Sequence, residues 1–226
     1  MPNTVWLTIW NRIFDGKAAA WTAFFTLVLT VTTVQLMCLN QKANETSIAT
    51  QRAFVNFDGS ITGFKILNPA TKQVAGIEFL IGWQNSGTTP TKRALGRANR
   101  QLWPSEMPKS FDFKDMAGGN TIPTVIGPKA SVRHSLIVPI GDLLDIQRRN
   151  HHLYFWGWMV YQDIFPGSPI RLTEFCGEIT NFRADKQDLA DPSIAFAWDV
   201  VPCPVPHNCY DEDCADYRDR IKAGSQ

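Results

Sequence analysis

Hydrophobic and polar positions divide this chain into two regimes, a long uncharged run near the N-terminus and short alternating segments after it. From Ala18 to Leu39, 22 residues pass without a charged side chain. A helix rises 1.5 Å per residue, so this one would be about 33 Å long, enough to cross a hydrocarbon core of roughly 30 Å. A cleaved signal peptide has a shorter apolar region and ends at a small-x-small site. Here the run gives way to Asn40, Gln41 and Lys42 instead. The pattern therefore predicts a transmembrane helix over 18–39. Upstream, Trp6, Ile9, Trp10, Ile13 and Phe14 follow the spacing of one helical face, which suits a short interfacial helix over 1–17. Asp15-Gly16 would be the corner between the two, and Trp6, Trp10 and Trp21 the aromatic anchors. Thr22, Thr26, Thr30 and Thr33 recur along one side. Such hydroxyls either line a helix contact or bond back to the carbonyl four residues earlier, and the second is the expectation.

After a polar tether at 40–51, apolar positions alternate with period 2. Ile77, Phe79, Ile81 and Trp83 point one way, with Glu78, Gly82 and Gln84 opposite. Similar strands can be drawn at Arg52–Phe57, Thr62–Leu67, Val132–Val138, Leu153–Tyr161 and Ile170–Cys176, separated by turn sequences such as Asp58-Gly59, Asn68-Pro69, Gly118-Gly119-Asn120 and Pro166-Gly167. Only Gly141–Asn150 reads as helical within this stretch. The fold class expected is mainly β: an immunoglobulin-like antiparallel β-sandwich over 52–198 behind the transmembrane α-helix. No βαβ alternation appears, so a doubly wound nucleotide fold is excluded. Trp83, Trp156, Trp158 and Phe175 are the expected core, with Trp156 and Trp158 packed on the second sheet. The tail, 199–226, is Cys- and Pro-rich and ends in a short helix over Asp211–Ile221, with acids in its first turns and bases near its end.

Composition changes little. The 226 residues carry 22 Lys+Arg against 21 Asp+Glu, so the net charge of +1 gives no case for nucleic acid. Aromatics at 12% and charged residues at 19% exclude a disordered chain. There is no phosphate-binding glycine loop, no H-E-x-x-H and no G-x-S-x-G elbow, so neither a cofactor nor a catalytic residue is expected. Cys38 lies in the span. Cys176, Cys203, Cys209 and Cys214 form an even set outside it, which suggests two disulfides in one of three connectivities. The alternative is metal handling or redox chemistry using these four cysteines and His207, since Cys203, His207, Cys209 and Cys214 offer ligands close in sequence. Lys92, Arg93, Arg97 and Arg100 form the one basic cluster, either a patch for anionic lipid or an acidic partner, or a solvated edge strand.

Arg12 and Lys17 before the span balance Lys42 and Arg52 after it. The short N-terminal tail and the cysteine count favour a cytoplasmic N-terminus with the body outside, in the inner membrane of a cell envelope. The expected partners are the lipid bilayer and another envelope protein. Trp83-Gln84-Asn85-Ser86-Gly87-Thr88-Thr89-Pro90, Gly127-Pro128, the run from Gly157 to Phe165 and Thr173-Glu174-Phe175-Cys176 together resemble a group of uncharacterised bacterial proteins. These have one N-terminal span and a small β domain without assigned activity. Span plus sandwich is also the plan of membrane-anchored copper chaperones, but their Cys-x-Cys motif is absent, since Phe175-Cys176-Gly177 holds a single thiol. The resulting expectation is an anchored interaction or structural module, not an enzyme.

Overall fold

The computed structural model describes residues 3–108, 111–116, 121–148, 151–188, 191–203, 207–215 and 217–224. The chain divides into two units, Met1–Thr50 and Gln51–Gln226.

The first unit is helical. One helix, α1 (Asn3–Gln51), runs without interruption through Asp15-Gly16 and through the polar segment 40–51. The corner expected at Asp15-Gly16 is therefore absent, and the tether is helical. The physical reason is the lack of a breaker: a single interior glycine disfavours helix by only about 1 kcal/mol, and no proline lies between Asn3 and Gln51. The window Ala19–Gln51 contains a stretch of mean hydropathy 1.8, none of it buried. This helix is long and apolar enough to span a membrane.

The second unit is an antiparallel β structure built from β1 (Val55–Leu67), β2 (Val74–Asn85), β3 (Thr91–Trp103), β4 (Ile122–Thr124), β5 (Ser131–Pro139), β6 (His152–Asp163), β7 (Ile170–Ala184), β8 (Phe196–Pro202) and β9 (Cys209–Tyr210). Two short helices, α2 (Ile140–Gln147) and α3 (Tyr217–Gly224), complete it. One sheet has the order β1-β2-β5. The other runs β4-β3-β6-β7-β8, with β9 also on β7. Because β5 returns to pair with β2 across two intervening strands of the other sheet, the connection is of Greek-key type.

The core lies between the sheets. Phe57 stacks on Phe175 at 4.5 Å, Trp83 meets Phe175 edge-on at 5.3 Å, and Phe79 lies 5.1 Å from Phe155. Trp83, Phe79, Val55 and Phe155 are fully buried. At Gly157 a Cβ would collide with the Arg97 carbonyl, so only glycine lets β3 and β6 approach here. Asn85 locks one end of the sandwich. Its Oδ1 accepts from the Phe54 and Gly87 amides at 3.0 Å, and its Nδ2 donates to the Thr89 and Ile126 carbonyls. One buried amide thereby ties three segments, which explains why the Trp83–Pro90 turn sequence is so particular.

Several boundaries differ from the sequence reading. Arg52–Phe57 and Thr62–Leu67 join into β1, with a register shift between Phe57 and Ile61 where Asp58 Oδ1 accepts from the Ser60 amide. The β domain extends past 198, because β8 pairs with β7 through Pro202. Pro202 is tolerated at the end of this strand, where no further partner needs its missing N–H. The tail helix begins at Tyr217, after a 3₁₀ turn at Asp211–Asp213. Gly118-Gly119-Asn120 lies outside the described residues.

Trp156 and Trp158 are buried, but not against the second sheet. Inward positions on β6 are Leu153, Phe155 and Met159. Trp156 and Trp158 fall on the opposite face, in separate apolar clusters. Period-2 alternation requires this once Phe155 faces inward.

Two outcomes test the core. Trp83→Ala removes a fully buried indole and should destabilise the domain by about 3–5 kcal/mol, read as a large fall in the thermal midpoint of the detergent-solubilised chain. His134, on β5, is buried against the Gly96 backbone, and burial pulls its pKa below 6.5. The unfolded chain then takes up a proton near pH 6.5 that the folded chain refuses. Stability contributed by this histidine is complete above that pH and falls as the pH drops below it. His134→Leu should flatten the thermal midpoint between pH 6.5 and 5 without lowering it at pH 7.5; an unchanged slope would place the proton uptake elsewhere.

Candidate functional site

The outer face of the larger sheet carries the most concentrated chemistry. Arg97, Trp158, Glu174 and Cys209 are register partners in a row across β3, β6, β7 and β9. One step along lie Asn99, Trp156 and Cys176. Two segments cover this face. The connection after β3 supplies Met107, Phe111 and Phe113 against Trp156 and Tyr154, with Phe111 edge-on to Trp156 at 5.2 Å. The Met107 amide donates to the Tyr154 hydroxyl at 3.1 Å, and burial pushes that phenol up to about 12. The second cover is the C-terminal tail.

The tail is held to β7 residue by residue. The Cys203 amide donates to the Cys176 carbonyl at 3.1 Å, and Asn208 accepts from the Cys176 amide and donates to the same carbonyl, both at 3.2 Å. Asp211 accepts from the Leu172 amide at 2.9 Å and pairs with Arg171 at 2.7 Å. The Tyr217 hydroxyl donates to the Ile170 carbonyl. An otherwise open strand edge is thus capped by side chains that imitate a partner strand. Two cysteine pairs stand at disulfide distance, Cys176–Cys203 with Cα atoms 5.4 Å apart and Cys209–Cys214 at 5.2 Å.

Between the two covers runs an alternating charge network. The Trp158 indole donates to Asp115 Oδ1 at 2.9 Å, and Arg220 bonds Asp115 Oδ2 at 2.8 Å while its guanidinium lies 5.0 Å over the Trp158 ring. Arg97 faces Asp115 at 3.7 Å and donates to the Met116 carbonyl. Glu174, 6% exposed, meets Arg220 at 3.7 Å through Oε1 and His207 Nδ1 at 3.1 Å through Oε2. Phe113 covers the His207 ring at 3.5 Å. The Cys209 sulfur lies 3.5 Å from the same Oε2.

The structure therefore separates the four residues considered for metal. Cys209 and Cys214 gather at Glu174, which His207 also contacts through Nδ1, whereas Cys203 packs with Cys176, Trp156 and Tyr154. Among the described residues, Glu174, Cys209 and Cys214 are the one group whose donor atoms lie within 4.8 Å of one another. Glu174, Asp115 and Arg220 were not singled out in the sequence. One signal was present: Glu174 shares its strand face with Leu172 and Cys176, and a charge on an apolar face needs a partner.

The four basic residues do not form one patch. Arg97 joins the network, and Arg100 pairs with Asp142 on α2 at 3.0 Å. Lys92 and Arg93 remain exposed. On α1, the Thr26, Thr30 and Thr33 hydroxyls donate to the carbonyls of Thr22, Thr26 and Leu29, each at 2.7 Å, the back-bonding expected of them. Ala19, Thr22, Ala23 and Thr26 line a shallow groove with Leu27 and Thr30. Trp21 stacks on Phe25 at 5.8 Å. The side chains of Trp6 and Trp10 lie outside the described residues.

No protein-family model matches the chain, and no curated protein does. Among solved structures, a crystal structure of a protein from Archaeoglobus fulgidus is similar at 11% identity, with a TM-score of 0.23 over 52% of this chain and 93% of that one. A superposition of that extent carries nothing about activity.

The pairing is directly measurable. The non-reduced chain should be lighter than the reduced one by four hydrogens, two for each bridge, and peptide mapping should recover the 176–203 and 209–214 links. A 176–209 or 203–214 link, or free thiols among the four, would contradict it.

Proposed function

We propose that this is a single-pass membrane-anchored β-sandwich of the cell envelope, serving as an interaction or structural module rather than an enzyme. The observation that carries this reading is the N-terminal helix. Its apolar surface, including Trp21, Phe24, Leu29 and Leu36, is exposed along the whole span window. So much contiguous apolar surface in water is unfavourable, and a bilayer is the environment that matches it. The strand order of the body supports the immunoglobulin-like reading. With β1 as A, the sheets β1-β2-β5 and β4-β3-β6-β7 follow the A-B-E and C′-C-F-G orders of such sandwiches, and β8 is an additional edge strand. This fold hosts many activities, so the module reading rests on the anchor and not on the fold. The two cysteine pairs support an oxidising compartment, hence a cytoplasmic N-terminus with the body outside the inner membrane. The partners are the bilayer and a second envelope protein.

The test is fractionation. The full chain should remain in the membrane pellet after alkaline carbonate washing, and a protease added outside spheroplasts should digest the β domain. Leu29→Arg places a charge mid-span at an insertion cost of about 2.5–3.5 kcal/mol and should shift chain to the soluble fraction. Release of the wild-type chain by carbonate would remove the anchor. Protection of the body from external protease would reverse the orientation.

A further inference from the structure

We propose that reduction of the Cys209–Cys214 bridge creates a zinc-type divalent metal site from Glu174, His207, Cys209 and Cys214. The inference stands on the geometry of the tail and is independent of the anchor. All three donors of the compact group are buried: Cys209 at 7%, Cys214 at 3% and Glu174 at 6% exposed. His207 reaches the same carboxylate oxygen as the Cys209 sulfur, at 3.1 Å against 3.5 Å. Two of these spacings, oxygen to nitrogen and oxygen to sulfur, match edges of a metal tetrahedron. With Zn–S near 2.3 Å and Zn–O or Zn–N near 2.0 Å, a tetrahedral centre separates sulfur from oxygen by about 3.5 Å and nitrogen from oxygen by about 3.3 Å. The carboxylate oxygen is thus placed for both neighbours; His207 lies outside the compact group of Glu174, Cys209 and Cys214 and must turn toward the sulfurs to complete the four.

The charge balance and the contacts around Glu174 agree. Two thiolates, one carboxylate, one divalent ion and the guanidinium of Arg220 sum to zero, which a buried site requires. Arg220 occupies Glu174 Oε1 and leaves Oε2 toward the sulfurs, while Asp115 in turn fixes Arg220. This is the outer-shell support that orients a ligating carboxylate. Access exists as well: a depression of about 370 Å³ lined by Cys214, Glu212, Tyr217 and Arg218 opens beside the bridge. The chemistry balances with a dithiol reductant. It passes two electrons and two protons to the disulfide and leaves as its own disulfide, and the incoming ion then displaces two thiol protons to solvent without changing its oxidation state.

Removal of the bridge and counting of the metal decide the matter. Full-length chain in detergent is reduced with a phosphine, desalted and titrated with Zn²⁺ or Cd²⁺. One equivalent should bind, Cd²⁺ should give thiolate-to-metal charge-transfer absorption in the ultraviolet, and the non-reduced chain should bind none. Glu174→Gln and Cys214→Ser should each weaken binding by about tenfold or more, with Cys203→Ser unchanged. Should a variant fail to fold, the wild-type chain still answers: Zn²⁺ should slow alkylation of Cys209 and Cys214 relative to the reduced metal-free chain and leave the rates at Cys176 and Cys203 unchanged. No binding after reduction, equal binding by the non-reduced chain, or equal shielding of all four cysteines would overturn the proposal.

Discussion

The body of this protein is organised by one constraint: β6 is apolar on both of its faces. Leu153, Phe155 and Met159 face the β1-β2-β5 sheet, while Tyr154, Trp156 and Trp158 face the other way, and all are buried. A strand buried on both sides has to be covered twice. The smaller sheet supplies one cover. The other is the connection after β3 together with the tail, largely irregular among the described residues apart from β9, a 3₁₀ turn and α3. Trp156 and Trp158 are the largest apolar side chains buried on this outer face, each burying on the order of 150–250 Å². The tail is therefore part of the folded body and not an appendage to it.

An irregular cover has few backbone hydrogen bonds, so its hold comes from side chains and cross-links. That explains why charged residues concentrate there. Asp115, partly exposed, stands between Arg97 and Arg220, and the buried Glu174 meets Arg220 and the His207 ring, so the one buried anion of the network has a cation beside it. Such a network adds little over an apolar replacement of equal volume, yet loss of Arg220 leaves the buried Glu174 short of its cation, at roughly 3–5 kcal/mol. The value of the network lies in position. It fixes which residue of the tail meets which residue of the sheet, something apolar packing on two flat rings would leave loose.

Legibility from the sequence followed the range of the forces involved. The span could be read because its signal is local: 22 consecutive uncharged residues are enough. The strands β2, β5 and β6 could be read for the same reason, by alternation. In β3 the charges of Lys92, Arg93, Arg97 and Arg100 mask the alternation, because two of them find partners on other elements 18 and 42 residues away rather than water. The outer placement of Trp156 and Trp158 was implicit in the neighbouring Phe155, since two adjacent aromatics in a strand cannot share a face. What the spacing of cysteines could not give was their pairing. That depends on which tail residues the sheet register brings beside β7, a long-range property absent from the local pattern.

The two cysteine pairs are unequal in what they hold. The Cys176–Cys203 link closes a loop of 27 residues and, by chain entropy, contributes about 3.5 kcal/mol, whereas Cys209–Cys214 closes one of 5 and contributes about 2 kcal/mol. The longer link, with Asn208 on Cys176, Asp211 on Leu172 and Tyr217 on Ile170, spans the tail on either side of the shorter one. Opening the shorter bridge therefore leaves the tail tied at both ends. Its two sulfurs are held in place by neighbours, beside a buried carboxylate and an imidazole that the fold has already set against each other. At about 2 kcal/mol the shorter bridge adds to the hold on the tail, and its setting beside Glu174 and His207 places the same two sulfurs among the oxygen and nitrogen donors that the proposed metal site would use once the bridge is reduced.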